Sequence, residues 1–284
     1  MLRANETVVL KQRVATASVL LTVAVGAMVW SATAFAIVVT ALLGFALVEW
    51  LQLTSAARST AIIVTLIVCA VLLGLVFASS KTREMFVLPL GALAATIWVA
   101  IVALLVQPNA MSLRLPKMIG MALAIVLVVA AWFALIQFLS QGVLMLLSVL
   151  LIVWIADTAA YFAGRAFGRK KLAPHISPGK TWAGVVGAIV AVLLLALAVW
   201  QFAPATRMYS NDLFAAVGPV WALLLLAALV GLSIVGDLFE SLLKRQAGVK
   251  DSGQLLPGHG GVLDRVDAMV PVLPSAAVIQ WLVR

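Results

Sequence analysis

The stretch W-A-G-V-V-G-A-I-V-A-V-L-L-L-A-L-A-V-W-Q-F, Trp182–Phe202, runs for 21 residues without one ionisable side chain. At 1.5 Å per residue, a helix of that length crosses the hydrocarbon core of a bilayer, about 30 Å thick. A helix also satisfies its backbone amides internally, as lipid demands. The same pattern recurs on both sides of this stretch. Nine apolar segments of near-spanning length stand at approximately residues 14–30, 32–53, 60–78, 85–106, 118–139, 143–163, 182–202, 213–235 and 268–283. Composition agrees: 65% of residues are hydrophobic, 10% are charged and mean hydropathy is +1.19. Soluble domains are about half apolar, so the soluble class is excluded. The chain reads as an all-α, polytopic integral membrane protein with about nine transmembrane helices.

Residues 14–53 form one apolar run with no charge before Glu49, too long for a single span, and a tight turn near Trp30 and Ser31 divides it. Arg3, Lys11 and Arg13 followed by Ala34-Phe35-Ala36 mimic a secretory signal, but the apolar stretch between them exceeds the usual 7–15 residues. The last segment carries Pro271 and Pro274 near its start, tolerable where neighbours satisfy the freed carbonyls. Cys69 stands alone inside a span and reads as a packed thiol, which leaves no disulfide framework or cysteine metal site.

Orientation follows from the basic residues between spans. With the N-terminus cytoplasmic, fifteen of the nineteen Lys and Arg fall on the inner side, and only Lys81, Arg83, Arg207 and Arg284 fall outside. The net charge of +9 then reads as a cytoplasmic rim facing anionic headgroups of the lipid bilayer, not as nucleic-acid binding. The expected setting is the inner (cytoplasmic) membrane, multi-pass, with the polar site in the C-terminal half facing the cytoplasm.

Residues 1–139 contain only short loops and read as transmembrane scaffold. Residues 140–284 read as the catalytic region, with long polar loops at 164–181 and 236–267. Loop 164–181, G-R-A-F-G-R-K-K-L-A-P-H-I-S-P-G-K-T, holds five Lys and Arg and no carboxylate. Gly179-Lys180-Thr181 resembles the end of a P-loop, but Pro174 occupies the place of the required glycine and no strand precedes it, so a Walker motif is rejected. Ser177, Lys180 and Thr181 still sit just before a helix, where free amides and the dipole favour phosphate. Asp157, within a span, is read either as one half of an ion pair with Arg165 or as a site residue.

Loop 236–267 holds Asp237, Glu240, Asp251, Asp264 and Asp267, five of the chain's ten carboxylates, with Lys244, Arg245, Lys250, Arg265 and His259. Charge so concentrated in a membrane protein implies a polar ligand. In helical register Asp237, Glu240, Ser241 and Lys244 share one face, as do Asp264 and Asp267. The glycines between them allow close backbone approach to a ligand. Asp237 and Asp264, from separate elements, suit a hard cation such as Mg2+ that keeps waters and ligand phosphates in its other positions. Carboxylates for a metal and Lys and Arg for phosphate oxygens are what phosphoryl and nucleotidyl transfer require. His259 is open between phosphate donor, general acid and loop hydrogen bond.

The run at 241–267, S-L-L-K-R-Q-A-G-V-K-D-S-G-Q-L-L-P-G-H-G-G-V-L-D-R-V-D, resembles the signature of the phosphatidate cytidylyltransferase (CDP-diacylglycerol synthase) family. D-T-A-A-Y-F-A-G-R, I-S-P-G-K-T-W and G-D-L-F-E resemble further family blocks in the same order, so the similarity covers at least residues 157–267. Two positions depart: many members carry a basic residue where Gly179 stands and an acidic one where Ala183 stands. The resemblance implies a Mg2+-dependent nucleotidyltransferase of phospholipid biosynthesis, converting CTP and phosphatidic acid to CDP-diacylglycerol and pyrophosphate, with room for a second cation and a homodimeric assembly. On that reading Asp237, Lys244 and Asp264 are catalytic, and Asp237 and Asp264 hold the metal with Glu240 and Asp251 near by. Ser177, Lys180, Thr181, Ser241, Arg245, Lys250, His259 and Arg265 bind substrate.

Two other functional classes fit parts of the sequence. A transporter using Glu49 and Asp157 predicts polar residues spread through several spans, whereas here they gather at one rim. A CTP-dependent lipid-alcohol kinase shares the parts and differs in releasing CDP. CDP-alcohol phosphotransferases need an Asp-Gly pair, which this chain lacks.

Overall fold

The structure, a computed structural model, describes residues 19, 22–107, 109–255 and 260–283. Seven described helices are long and apolar enough to cross a membrane. They are α1 (Ala32–Leu53), α2 (Arg58–Val76), α3 (Ser80–Leu105), α4 (Lys117–Ser140), α5 (Val143–Phe167), α6 (Trp182–Phe202) and α7 (Tyr209–Gln246). Between α5 and α6 lies an antiparallel hairpin of β1 (Lys171–Ala173) and β2 (Ser177–Thr181). After α7 come α8 (Leu263–Val266) and α9 (Met269–Leu282).

Of the expected segment 14–30, residues 14–18, 20 and 21 lie outside the described residues; residues 22–30 are helical and end at Ser31. Ser31 is extended (φ −164°, ψ 154°) and its hydroxyl accepts from the Ala34 amide, so a cap divides the long apolar run where the sequence suggested a turn. Ala34-Phe35-Ala36 opens α1, with Phe35 and Ala36 buried. The expected last span, 268–283, forms the 14-residue α9, about 21 Å long and too short to cross a bilayer alone. It is also the most enclosed helix: every residue from Val270 to Ala277 is buried. Tight packing against α3 at Gly91, where a Cβ would meet Val278 and the Pro274 carbonyl, explains that enclosure.

α7 is 38 residues long and bends at Gly218 (φ 76°, ψ 169°), directly before Pro219. Pro219 cannot donate to the turn before it, and glycine supplies the positive φ. From that bend the helix runs on past the expected limit of its span, carrying Asp237, Glu240 and Lys244 beyond its apolar part. α5 and α6 pack closely through small residues: a Cβ on Gly184 would come within 2.9 Å of the Ala160 carbonyl, and one on Gly187 would strike Ala163.

The core joins both halves of the chain. Phe239 of α7 stacks edge-on with Trp50 of α1 and Trp98 of α3, ring centroids 6.2 and 5.8 Å apart. Trp132 donates to Thr40 at 2.8 Å, and Cys69 lies against the Thr40 carbonyl at 3.7 Å as a half-buried thiol. At the end of α7 the Gln246 amide donates to the carbonyls of Ala110 and Leu113, and Arg114 donates back to the Gln246 carbonyl. The loop between α3 and α4, the hairpin and the end of α7 therefore share one end of the bundle.

Candidate active site

A cavity of about 800 Å³ opens at that end, between the last turns of α5, the hairpin, the first turns of α6 and the end of α7. That is the size of a small-molecule site. Helical period places Asp237, Glu240 and Lys244 on its wall, and α8 with its following turn supplies Asp264, Arg265 and Asp267. Asp157, Tyr161 and Arg165 enter from α5, and Lys171, Gly179, Lys180 and Thr181 from the hairpin.

Three ion pairs organise these charges. Lys180 Nζ lies 2.7 Å from Asp237 Oδ2 and also donates to the Ile234 carbonyl at 3.3 Å. Lys244 Nζ bridges Glu240 Oε2 at 2.6 Å and Asp264 Oδ1 at 2.5 Å. The other Asp264 oxygen accepts from the Gly261 amide at 2.8 Å and from the Ser252 amide and hydroxyl at 3.0 Å each. Burial opposes ionisation of Asp264, but the Lys244 ammonium and the loop amides outweigh it and hold the carboxyl at about 2. Asp267 contrasts with it. Burial, then the neighbouring Asp237, pushes its carboxyl well above the usual range, against one amide bond from Ala268 at 2.8 Å.

The sequence paired Asp237 with Asp264 as metal ligands. That expectation also placed Glu240 and Asp251 near the metal; among the described residues Asp264 bonds to Lys244 and the loop, while Asp237, Glu240 and Asp267 each present a carboxylate oxygen within 4.8 Å of the other two. Gly236 permits this grouping, because a Cβ there would collide with the Asp267 carbonyl and Pro271. Glu240 Oε1 is buried with no hydrogen-bond partner among the described residues. An uncompensated buried oxygen is costly, and three clustered carboxylates repel; a divalent cation relieves both, so the donor set fits one.

Other expected residues separate into groups. Ser241 reaches the site through Asp237, donating to Oδ1 at 3.4 Å. Thr181 lines the cavity, yet its hydroxyl is spent as the N-cap of α6, accepting from the Gly184 amide at 3.1 Å. Ser177 pairs with Ala173 in the hairpin, away from the cavity lining. Arg245 and Lys250 are exposed and also stand outside that lining, whereas exposed Asp251 belongs to it. His259 lies outside the described residues. Asp157 faces the cavity in the field of Asp237 and Lys180, and Arg165 donates to the Tyr161 hydroxyl at 3.1 Å. Ser252 was not anticipated; a hydroxyl in a glycine-containing loop beside Asp251 was its only signal in the sequence.

The model of the cytidylyltransferase family matches residues 11–283, nearly the whole chain. The chain belongs to the cytidylyltransferase family. Members similar to it include the phosphatidate cytidylyltransferase of Pseudomonas aeruginosa, 36% identical over 278 residues that cover 96% of this chain and 97% of that one. The Haemophilus influenzae phosphatidate cytidylyltransferase is 44% identical over 143 residues, 50% of this chain and 48% of the relative. That of Brucella suis is 48% identical over 132 residues, 46% and 43% of the two chains. The cavity thus brings cations and carboxylates together in one lining, with Lys180 paired to Asp237 and Lys244 set between Glu240 and Asp264.

Proposed function

We propose that this chain is a phosphatidate cytidylyltransferase, joining CTP and phosphatidic acid to give CDP-diacylglycerol and pyrophosphate for phospholipid synthesis. The observation that carries this reading is the convergence, in one cavity, of the Asp237, Glu240 and Asp267 carboxylates with Arg165, Lys171, Lys180, Lys244 and Arg265. An anionic oxygen of phosphatidate attacks the α-phosphorus of CTP. A new P–O–P bond forms, the bond from that phosphorus to the β-phosphate oxygen breaks, and the electron pair departs with pyrophosphate. Phosphatidate is already ionised, so no strong general base is required.

Mg2+ is the cation we assign to Asp237, Glu240 and Asp267; bound there, it supplies charge neutralisation for the triphosphate. Lys180 and Arg265 bind phosphate oxygens from the facing walls. Lys244 balances Glu240 and Asp264, and so keeps the acidic wall in place without neutralising it. Arg165, which donates to the hydroxyl of exposed Tyr161, is suited to a lipid phosphate arriving from the bilayer, and Lys171 adds a second cation to the same lining. Asp251, Ser241 and His259 complete the polar surround in this reading, and Ser177, Thr181, Arg245 and Lys250 support it from the loops. The bias of the basic residues toward one side of the expected topology supports a cytoplasmic position for this end of the bundle and for the N-terminus, where CTP is available. The same reading makes residues 1–139 mainly scaffold and the assembly a homodimer in the inner membrane.

The test is to incubate the purified chain in detergent with Mg2+, phosphatidate and CTP labelled in its α-phosphate. Label is expected in CDP-diacylglycerol with stoichiometric pyrophosphate. Release of CDP with phosphorylated lipid would instead identify a lipid kinase.

A further inference from the structure

Glu49, in the last turn of α1, is a buried carboxylate that the mechanism above does not use; it is 7% exposed. Its Oε1 accepts from the Val262 amide at 3.1 Å and its Oε2 from the Leu263 amide at 2.8 Å, and Oε2 shares the single Ser252 hydroxyl proton with Asp264, each carboxylate oxygen lying 3.0 Å from that hydroxyl. The ion pairs found among the described residues do not include it. Two motif glycines frame it, since a Cβ on Gly253 or on Gly261 would run into its carboxylate. Those glycines therefore make room for an internal occupant contributed by the N-terminal half. The same short segment serves the active site from its other side. Ser252 and Gly261 also donate to Asp264, and the backbone that Glu49 grips at 262–263 leads directly into Asp264 and Asp267.

From this arrangement we propose that Glu49 is a positioning residue for the catalytic cluster. By holding the amides of Val262 and Leu263, its carboxylate fixes the segment so that Asp264 meets Lys244 and Asp267 meets Asp237 and Glu240. An ionised acceptor holds two amides more firmly than a neutral one. The role rests on the proposed cation site, and it makes the N-terminal helices a working part of the site.

The test uses the full chain in detergent, without CTP or lipid, and two readouts: hydrogen exchange of the amides at 260–264, and Mn2+ binding followed by electron paramagnetic resonance. Glu49→Gln puts a donor where the amides need an acceptor. It is expected to speed exchange there and weaken Mn2+ binding by at least about tenfold each, with Glu49→Asp recovering part of both. Gly253→Ala, which presses on the carboxylate from the loop side, is expected to act in the same direction and serves as the second variant should Glu49→Gln not fold. Wild-type exchange and Mn2+ affinity in these variants overturn the proposal. So does faster exchange with unchanged Mn2+ affinity, which makes Glu49 an anchor of the loop and nothing more. A wild-type chain that binds Mn2+ but forms no CDP-diacylglycerol defeats the proposed reaction alone, because neither readout depends on turnover.

Discussion

Lys180 Nζ lies 2.7 Å from Asp237 Oδ2, tying the hairpin after α5 to the acidic wall of α7. The pair is partly exposed, with side-chain accessibilities of 20% and 40%, so water and salt screen much of its attraction. Its larger consequence is spatial: it keeps a cation at the mouth of a carboxylate cluster that would otherwise repel a polyphosphate. Lys180→Gln is accordingly expected to raise the KM for CTP by about tenfold or more, while the thermal midpoint moves little. Initial rates across a CTP series, with a thermal melt of the same preparation, check both halves.

Asp264 and Asp267 are three residues apart but are expected to respond differently to amide substitution. Asp264→Asn places a donor opposite the Ser252 and Gly261 amides or the Lys244 ammonium, and should destabilise the fold by about 3 kcal/mol. Asp267→Asn disturbs a single local amide bond and removes one member of the clustered carboxylates. Its expected signature is a higher Mg2+ requirement with a near-normal melt. Mg2+ titrations of turnover beside thermal melts separate the two, and equal Mg2+ requirements for Asp267→Asn and wild type would remove Asp267 from the metal site.

Gly179 faces the cavity where many relatives are expected to carry a cation, and a Cβ built there meets nothing within 4 Å. It lies in extended β2, so no unusual backbone angle demands glycine. Gly179→Lys adds a positive charge beside Lys180 and is expected to lower the KM for CTP several-fold at low salt, with the gain shrinking as ionic strength rises. Steady-state rates at two salt concentrations test it; a higher KM at both would mean that the added cation opposes the resident one.

The spans were legible because lipid leaves the backbone so few options: Trp182–Phe202 could be bounded from its apolar run alone, and the helix found has the same limits. The face formed by Asp237, Glu240 and Lys244 was equally legible, since it depends on helical period within one element. Which of Asp264 and Asp267 stands beside Asp237 and Glu240 was not. It turns on the close approach of Gly236 to Asp267 and on Lys244 reaching Asp264, both facts of tertiary packing. That Thr181 caps α6 was not legible either, because capping and phosphate binding draw on the same residue types before a helix. Glu49 was least legible of all: its amide partners come 213 and 214 residues later, and backbone donors leave no mark in a sequence.

The hairpin carrying Lys180 is held by the packing of α5 on α6, and this gives a prediction that separates packing from chemistry. A Cβ on Gly187 would strike Ala163, so Gly187→Val must part the two helices or shift them along one another. Overpacking typically costs about 1–3 kcal/mol, and here it also moves Lys180 away from Asp237. The expected result is a lower melting temperature together with a loss of turnover exceeding the loss of folded protein. Gly231, inside α7, is the matched control, since a Cβ there meets nothing within 4 Å. Gly231→Ala is expected to leave turnover unchanged and to stabilise by about 0.5–1 kcal/mol, the ordinary gain of alanine over glycine within a helix. Melting both variants in detergent and normalising turnover to folded protein tests the pair. Full specific activity in Gly187→Val would show that the hairpin holds its place without close contact between α5 and α6.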